Sequence, residues 1–128
     1  MVAEEKIKVA ADPRRRFGDR GESNAAAFFI ARGFTVVARN WSCRMGEIDL
    51  VIERDGVTHF VEVKTRRSLK YGYPEESITK TKLRHLRAAI ELYLRACPKP
   101  PRNYQLDALA IIAEPGKPAE YSWIEGIG

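Results

Sequence analysis

The stretch GEIDLVIERDGVTHFVEVK, residues 46–64, decides how this chain folds and where its chemistry sits. Asp55-Gly56 separates two apolar runs, a strong short-range signal for a two-residue type I′ hairpin. With those residues as the turn, Arg54 pairs with Val57. Counting outward brings Leu50 opposite Val61 and Asp49 opposite Glu62. Two steps further, Glu47 comes opposite Lys64. Period-2 alternation predicts Glu47, Asp49, Glu62 and Lys64 on one face. A three-residue loop would shift the register by one and send the two acids to opposite faces.

Directly opposed strand residues have Cβ atoms roughly 5 Å apart, and like charges there are destabilising unless something compensates. A shared divalent cation would compensate. Magnesium takes one or two protein carboxylates and keeps water or substrate phosphate oxygens as its other ligands. Lys64 would add a fixed positive charge, suited to a phosphorane-like transition state or to orienting an attacking water. The pattern reads as a phosphodiester hydrolase site. The plain alternative is a solvent-facing strand with ordinary ion pairs such as Glu47 with Lys64. An Asp, a gap and Glu-x-Lys is common by chance, and the register is what sets this instance apart.

At 128 residues with 45% hydrophobic content, the chain is long enough for one domain with its own core. Cys43 and Cys97 have no metal-binding spacing, which suits a reducing cytoplasm. The longest apolar run, Ala25 to Ala31, is far short of a membrane span, and Met1-Val2-Ala3-Glu4-Glu5 does not read as a signal peptide. The expectation is an intracellular protein with no membrane partner. The formal charge of +5 is unevenly spread. Lys64, Arg66, Arg67, Lys70, Lys80, Lys82, Arg84 and Arg87 face only Glu75 and Glu76, so residues 64–87 carry +6 and the rest −1. Charge on a helix is usually a solvated face, but a basic zone beside a carboxylate hairpin is what a polyanion needs.

Residues 1–17, with Pro13-Arg14-Arg15-Arg16, read as a frayed basic arm ahead of a single domain over 18–128. A helix is expected from Asp19 or Gly21 to Arg32, ended by Gly33. Its first turn carries Glu22, where the helix dipole favours an acid. Phe34 to Ala38 reads as a strand and Asn40 to Arg44 as a loop. The hairpin strands follow, then a loop at Tyr71-Gly72-Tyr73-Pro74. Thr79 is placed to cap a helix whose Leu83, Leu86, Ile90, Tyr93 and Leu94 keep helical spacing. Pro98, Pro100 and Pro101 end it. Tyr104 to Ala113 reads as a buried strand and Ala119 to Ile124 as an edge-like one. The sum is an α/β domain with a mixed sheet.

Arg20-Gly21-Glu22, Arg39-Asn40-Trp41, Gly46-Glu47-Ile48-Asp49-Leu50 and Phe60-Val61-Glu62-Val63-Lys64-Thr65-Arg66 together resemble the YraN-like family of bacterial proteins. Tyr71-Gly72-Tyr73-Pro74-Glu75-Glu76-Ser77-Ile78 and Lys82 match it in kind and order. The resemblance covers roughly residues 17–127. That family is similar to restriction-endonuclease-like nucleases, particularly archaeal Holliday-junction resolvases. The resemblance implies an αβββαβ core plus a terminal strand, and a site that needs magnesium or manganese. It implies Asp49 and Glu62 as metal ligands, Lys64 as the catalytic lysine and Glu22 as the first-helix acid. The resolvases act as dimers on a junction's two cleavage points, so a homodimer is a further expectation.

The remaining candidates carry less. His59 lies on the face opposite Asp49 and Glu62, where a lone histidine is more often structural than a general base. His85 sits in the basic helix. Tyr71 and Tyr73 could stack on bases, although loop tyrosines usually cover a core edge. Trp41 and Trp123 read as packing residues, and Asp107 has no role that the sequence assigns. No phosphate-binding glycine loop, Ser/His/Asp set or zinc spacing is present. The leading reading is a metal-dependent endonuclease acting on DNA, branched or damaged, with Arg66, Lys80, Lys82, Arg84 and Arg87 on the nucleic-acid backbone. The alternative is a non-catalytic nucleic-acid-binding module on the same fold.

Overall fold

The computed structural model describes the backbone of residues 4–9, 17–70 and 72–128, with side chains from Ser23 onward except at 71. The elements run β1 (Glu4–Val9), α1 (Phe17–Ile30), β2 (Thr35–Cys43), β3 (Gly46–Arg54), β4 (Val57–Arg66), a 3-10 turn (Pro74–Ser77), α2 (Lys80–Ala96), β5 (Asn103–Ile112) and β6 (Ala119–Ile124). From α1 to β5 this is the αβββαβ order of a restriction-endonuclease-like core. The sheet order is β1-β6-β5-β4-β3-β2. Among the described residues only β4 and β5 pair in parallel, joined through α2, and every other neighbouring pair is antiparallel. A parallel pair needs such a crossover.

The hairpin has the expected register. Asp55 and Gly56 both take positive φ, +54° and +78°, as a type I′ turn requires. Arg54 pairs with Val57, and the ladder continues to Leu50 opposite Val61. α1 ends at Gly33 (φ +86°), where Gly33 N donates to Ile30 O and Phe34 N to Phe29 O. Those two bonds are the Schellman pattern, which satisfies carbonyls that the helix leaves open. At the other helix, Thr79 Oγ1 accepts from Lys82 N at 3.2 Å, the cap expected at that residue.

Each face of the sheet has its own core. On the α1 side Phe28, Phe29, Phe34, Leu50, Ile52, Val61, Leu109, Tyr121 and Trp123 pack together. On the α2 side Ile48, Val51, Phe60, Leu86, Ala89, Ile90 and Tyr93 do so. Tyr121 is buried on the first side, which pushes its hydroxyl up to about 12. No helix among the described residues is long and apolar enough to cross a membrane.

Two segments differ from expectation. Residues 40–43 are not a loop, because β2 runs on to Cys43 and pairs Trp41 with Ile48. Asn40 enters the left-handed region (φ +49°), and strict alternation breaks there. Trp41 and Ile48 thereby turn to the α2 side, where Trp41 meets Tyr93 edge-on at 5.3 Å between ring centroids. In the expected N-terminal arm, Glu4–Val9 is a strand on β6, with Glu4 opposite Ile124 and Val9 opposite Ala119. Its partner is more than a hundred residues away in sequence, so no local pattern announces the pairing. Pro13 to Arg16 lie outside the described residues.

Candidate functional site

The regular ladder between β3 and β4 stops at Leu50 and Val61, one step short of the two acids. Beyond it the strands part, and Asp49 supplies what the backbone does not: its Oδ2 accepts from Val63 N at 2.8 Å. Asp49 is thus fixed against β4 by its own carboxylate, close beside Glu62. Burial, followed by that contact and the Glu62 charge, pushes the Asp49 carboxyl up to about 8, against the lowering effect of the Val63 N–H. In the absence of a cation, burial beside a second acid therefore favours the protonated form of this carboxyl.

Glu62 is 2% exposed, and two lysines converge on one of its oxygens. Lys64 Nζ lies 3.7 Å and Lys82 Nζ 3.2 Å from Oε2. Neither contact is directed as a hydrogen bond, so a buried carboxylate oxygen is opposed by charge yet left without a hydrogen-bond partner. Buried polar atoms are nearly always bonded, and an exception calls for an explanation. A pair of adjoining carboxylates with one oxygen unbonded fits a hard, oxygen-seeking cation such as magnesium or manganese. Asp49 and Glu62 are the two residues that would hold it.

The other expected members sort differently. Glu47 is on the exposed surface, where it accepts from Ser42 Oγ at 3.3 Å, and no ion pair joins it to Lys64 among the described residues. The break at Asn40 and Asp49 undoes the alternation that had placed it with the others. Its field still reaches Asp49 as the weakest of the raising influences. Glu22 belongs to α1, but its side chain lies outside the described residues, as does Tyr71. Tyr73 is half exposed. Of the basic set, Lys80 and Arg84 are exposed on α2 and Arg66 is half-buried at the end of β4. Arg87 lines a separate cavity of about 340 Å3 with Ile90, Glu91, Tyr104 and Leu106. Lys82 is on the Glu62 carboxylate itself. Sequence reasoning missed that placement, because it depends on how α2 crosses the sheet.

Asp107 was missed as well. It is fully buried on the α1 side, and its carboxylate gathers four partners. His59 Nδ1 is 2.6 Å from Oδ2, Trp123 Nε1 donates to Oδ2 at 3.0 Å, Gln105 Nε2 to Oδ1 at 2.8 Å and Gly126 N to Oδ1 at 3.0 Å. His59 is structural, as expected, and so is Asp107. His59, Asp107 and Glu125 offer ligand atoms within 4.8 Å of one another. Both Asp107 oxygens are already taken, however, so this set reads as a buried tie between strands.

Fold and site together define a restriction-endonuclease-like α/β protein with a paired-carboxylate and lysine centre at the split end of a hairpin. The model of the uncharacterised protein family UPF0102 matches residues 21–111, and the chain belongs to that family. A UPF0102 protein of Clavibacter michiganensis is 45% identical over 95 residues, 74% of this chain and 80% of the relative. One of Syntrophomonas wolfei is 42% identical over 103 residues, 80% of this chain and 90% of the relative. A third, of Nocardia farcinica, is 37% identical over 115 residues, 90% of this chain and 91% of the relative.

Proposed function

We propose that this protein is a metal-dependent endonuclease hydrolysing phosphodiester bonds in DNA, with magnesium or manganese held by Asp49 and Glu62. The observation that carries this is the buried Glu62 Oε2, faced by two lysines and without a hydrogen-bond partner, on the carboxylate beside Asp49. A cation bound there would supply Lewis-acid polarisation of a phosphoryl oxygen and a water of lowered pKa. Asp49 must lose its proton to serve as a ligand. The Val63 N–H keeps its carboxylate aimed while it does so. Lys64, anchored on the same strand as Glu62, is placed to orient the attacking water and to offset charge developing on phosphate. Lys80, Arg84 and Arg66 suit contacts to flanking phosphates, and Tyr73 is exposed enough to stack on an unpaired base. Glu22 completes the proposed acid set. The cytoplasm is the proposed compartment, and a junction substrate would call for two copies, one for each cut.

The test is cleavage of junction, flap, single-stranded and duplex DNA with magnesium or manganese and with chelator, using wild type, Asp49→Ala and Lys64→Ala. Cleavage should need metal and fall by at least about a hundredfold in both variants, the range seen when one charge-stabilising group is lost. Activity that survives Asp49→Ala or chelation would remove the assignment. A second reading, a nucleic-acid-binding module without catalysis, draws on the same lysines, which already balance Glu62 without a cation. It predicts salt-sensitive binding of DNA with no cleavage under any metal.

A further inference from the structure

Lys82 stands apart from the rest of the centre. It comes from α2, whereas Asp49, Glu62 and Lys64 come from the hairpin. Its backbone is pinned in the first turn by the Thr79 cap. Its ammonium is nevertheless the nearer of the two on Glu62 Oε2, at 3.2 Å against 3.7 Å for Lys64. The side chain is 38% exposed while Glu62 is 2% exposed, so the lysine spans from the buried oxygen to solvent.

That oxygen is also the atom a divalent cation would need. A magnesium ion bonds carboxylate oxygen at roughly 2.1 Å, and an ammonium left 3.2 Å from the same atom would face a double positive charge at close range. Like charges so near repel strongly when partly shielded from water. Both lysines have flexible stems and reach solvent, at 33% exposed for Lys64 and 38% for Lys82. But Lys82 is the nearer to the oxygen and the one that comes from a different element.

We infer that Lys82 is the exchangeable counter-ion of this centre: it occupies Glu62 when no divalent cation is bound and moves to a substrate phosphate when one is. The inference rests on the metal-site reading above. It assigns Lys82 two effects of opposite sign. The lysine opposes metal binding in the free protein and favours polyanion binding in the loaded one. A lysine that only lines the surface would strengthen neither contrast.

The experiment measures free manganese by electron paramagnetic resonance during titration of wild type, Lys82→Gln, Lys82→Arg, Asp49→Ala and, as a control for net charge, Lys99→Gln. No DNA is present, and circular dichroism confirms that each variant is folded. Lys82→Gln should bind manganese about tenfold more tightly than wild type, the effect of removing one close competing charge. Lys82→Arg and Lys99→Gln should stay near wild type, and Asp49→Ala should lose the site. With calcium as a non-cleaving cation, Lys82→Gln should bind duplex DNA more weakly, with a salt slope smaller by about one. Manganese affinity in Lys82→Gln that is equal to or weaker than wild type would overturn the role of Lys82 while leaving the metal site standing. Absence of manganese binding in wild type would overturn both.

Discussion

Asp49 owes its position to the Val63 N–H and its proton to burial beside Glu62. That combination has a consequence for stability. The carboxyl is raised from 3.8 to about 8 in the folded chain. Between those values the folded state binds a proton that the unfolded chain does not, so this contribution falls as pH rises through the window. Each tenfold difference in proton affinity between the two states corresponds to about 1.4 kcal/mol, and a half-buried acid beside a second acid realises only part of it. In chelator, thermal melts of wild type should lose stability between about pH 5 and pH 8. Asp49→Asn, which resembles the protonated acid, should flatten that profile and be more stable by about 1–3 kcal/mol at pH 8. Identical profiles would show that Asp49 is not the group responsible. The pairing of Asp49 with Glu62 was legible in the sequence, because Asp55-Gly56 admits few turns and the register follows by counting. The loss of Glu47 from that face was not, since it follows from one left-handed residue, Asn40, and from the seat that Tyr93 offers Trp41.

Among the elements, β4, β5 and β6 are tied through Asp107. His59 on β4, Gln105 on β5, Trp123 on β6 and the Gly126 backbone all address its carboxylate. Replacing Asp107 with Ala strands several buried donors, each costing about 1–3 kcal/mol when unsatisfied, so a loss of about 3–5 kcal/mol is expected in denaturant unfolding. The network lies on the α1 side of the sheet, and manganese binding at Asp49 and Glu62 should survive at temperatures where the variant stays folded. A variant as stable as wild type would show that the tie contributes little. Helix α2, its Thr79 cap and β6 could be read from periodicity and capping chemistry, which are local. The Asp107 network could not. Its longest link joins His59 to Asp107, 48 positions apart, through a parallel pairing whose register no turn sets.

At the scale of the molecule, the sheet keeps two kinds of polar chemistry apart. One face carries the fully bonded Asp107 cluster in an aromatic core, and the other carries an incompletely bonded carboxylate pair under α2. The order of elements made the αβββαβ core readable in advance, whereas β1 and the descent of Lys82 onto Glu62 depend on packing between distant segments. The separation also makes the central claim directly measurable. Crystals soaked in manganese and measured at its absorption edge should show an anomalous peak between Asp49 and Glu62, absent from Asp49→Ala crystals. A peak at His59, Asp107 and Glu125 instead, or none at the carboxylate pair, would contradict the account.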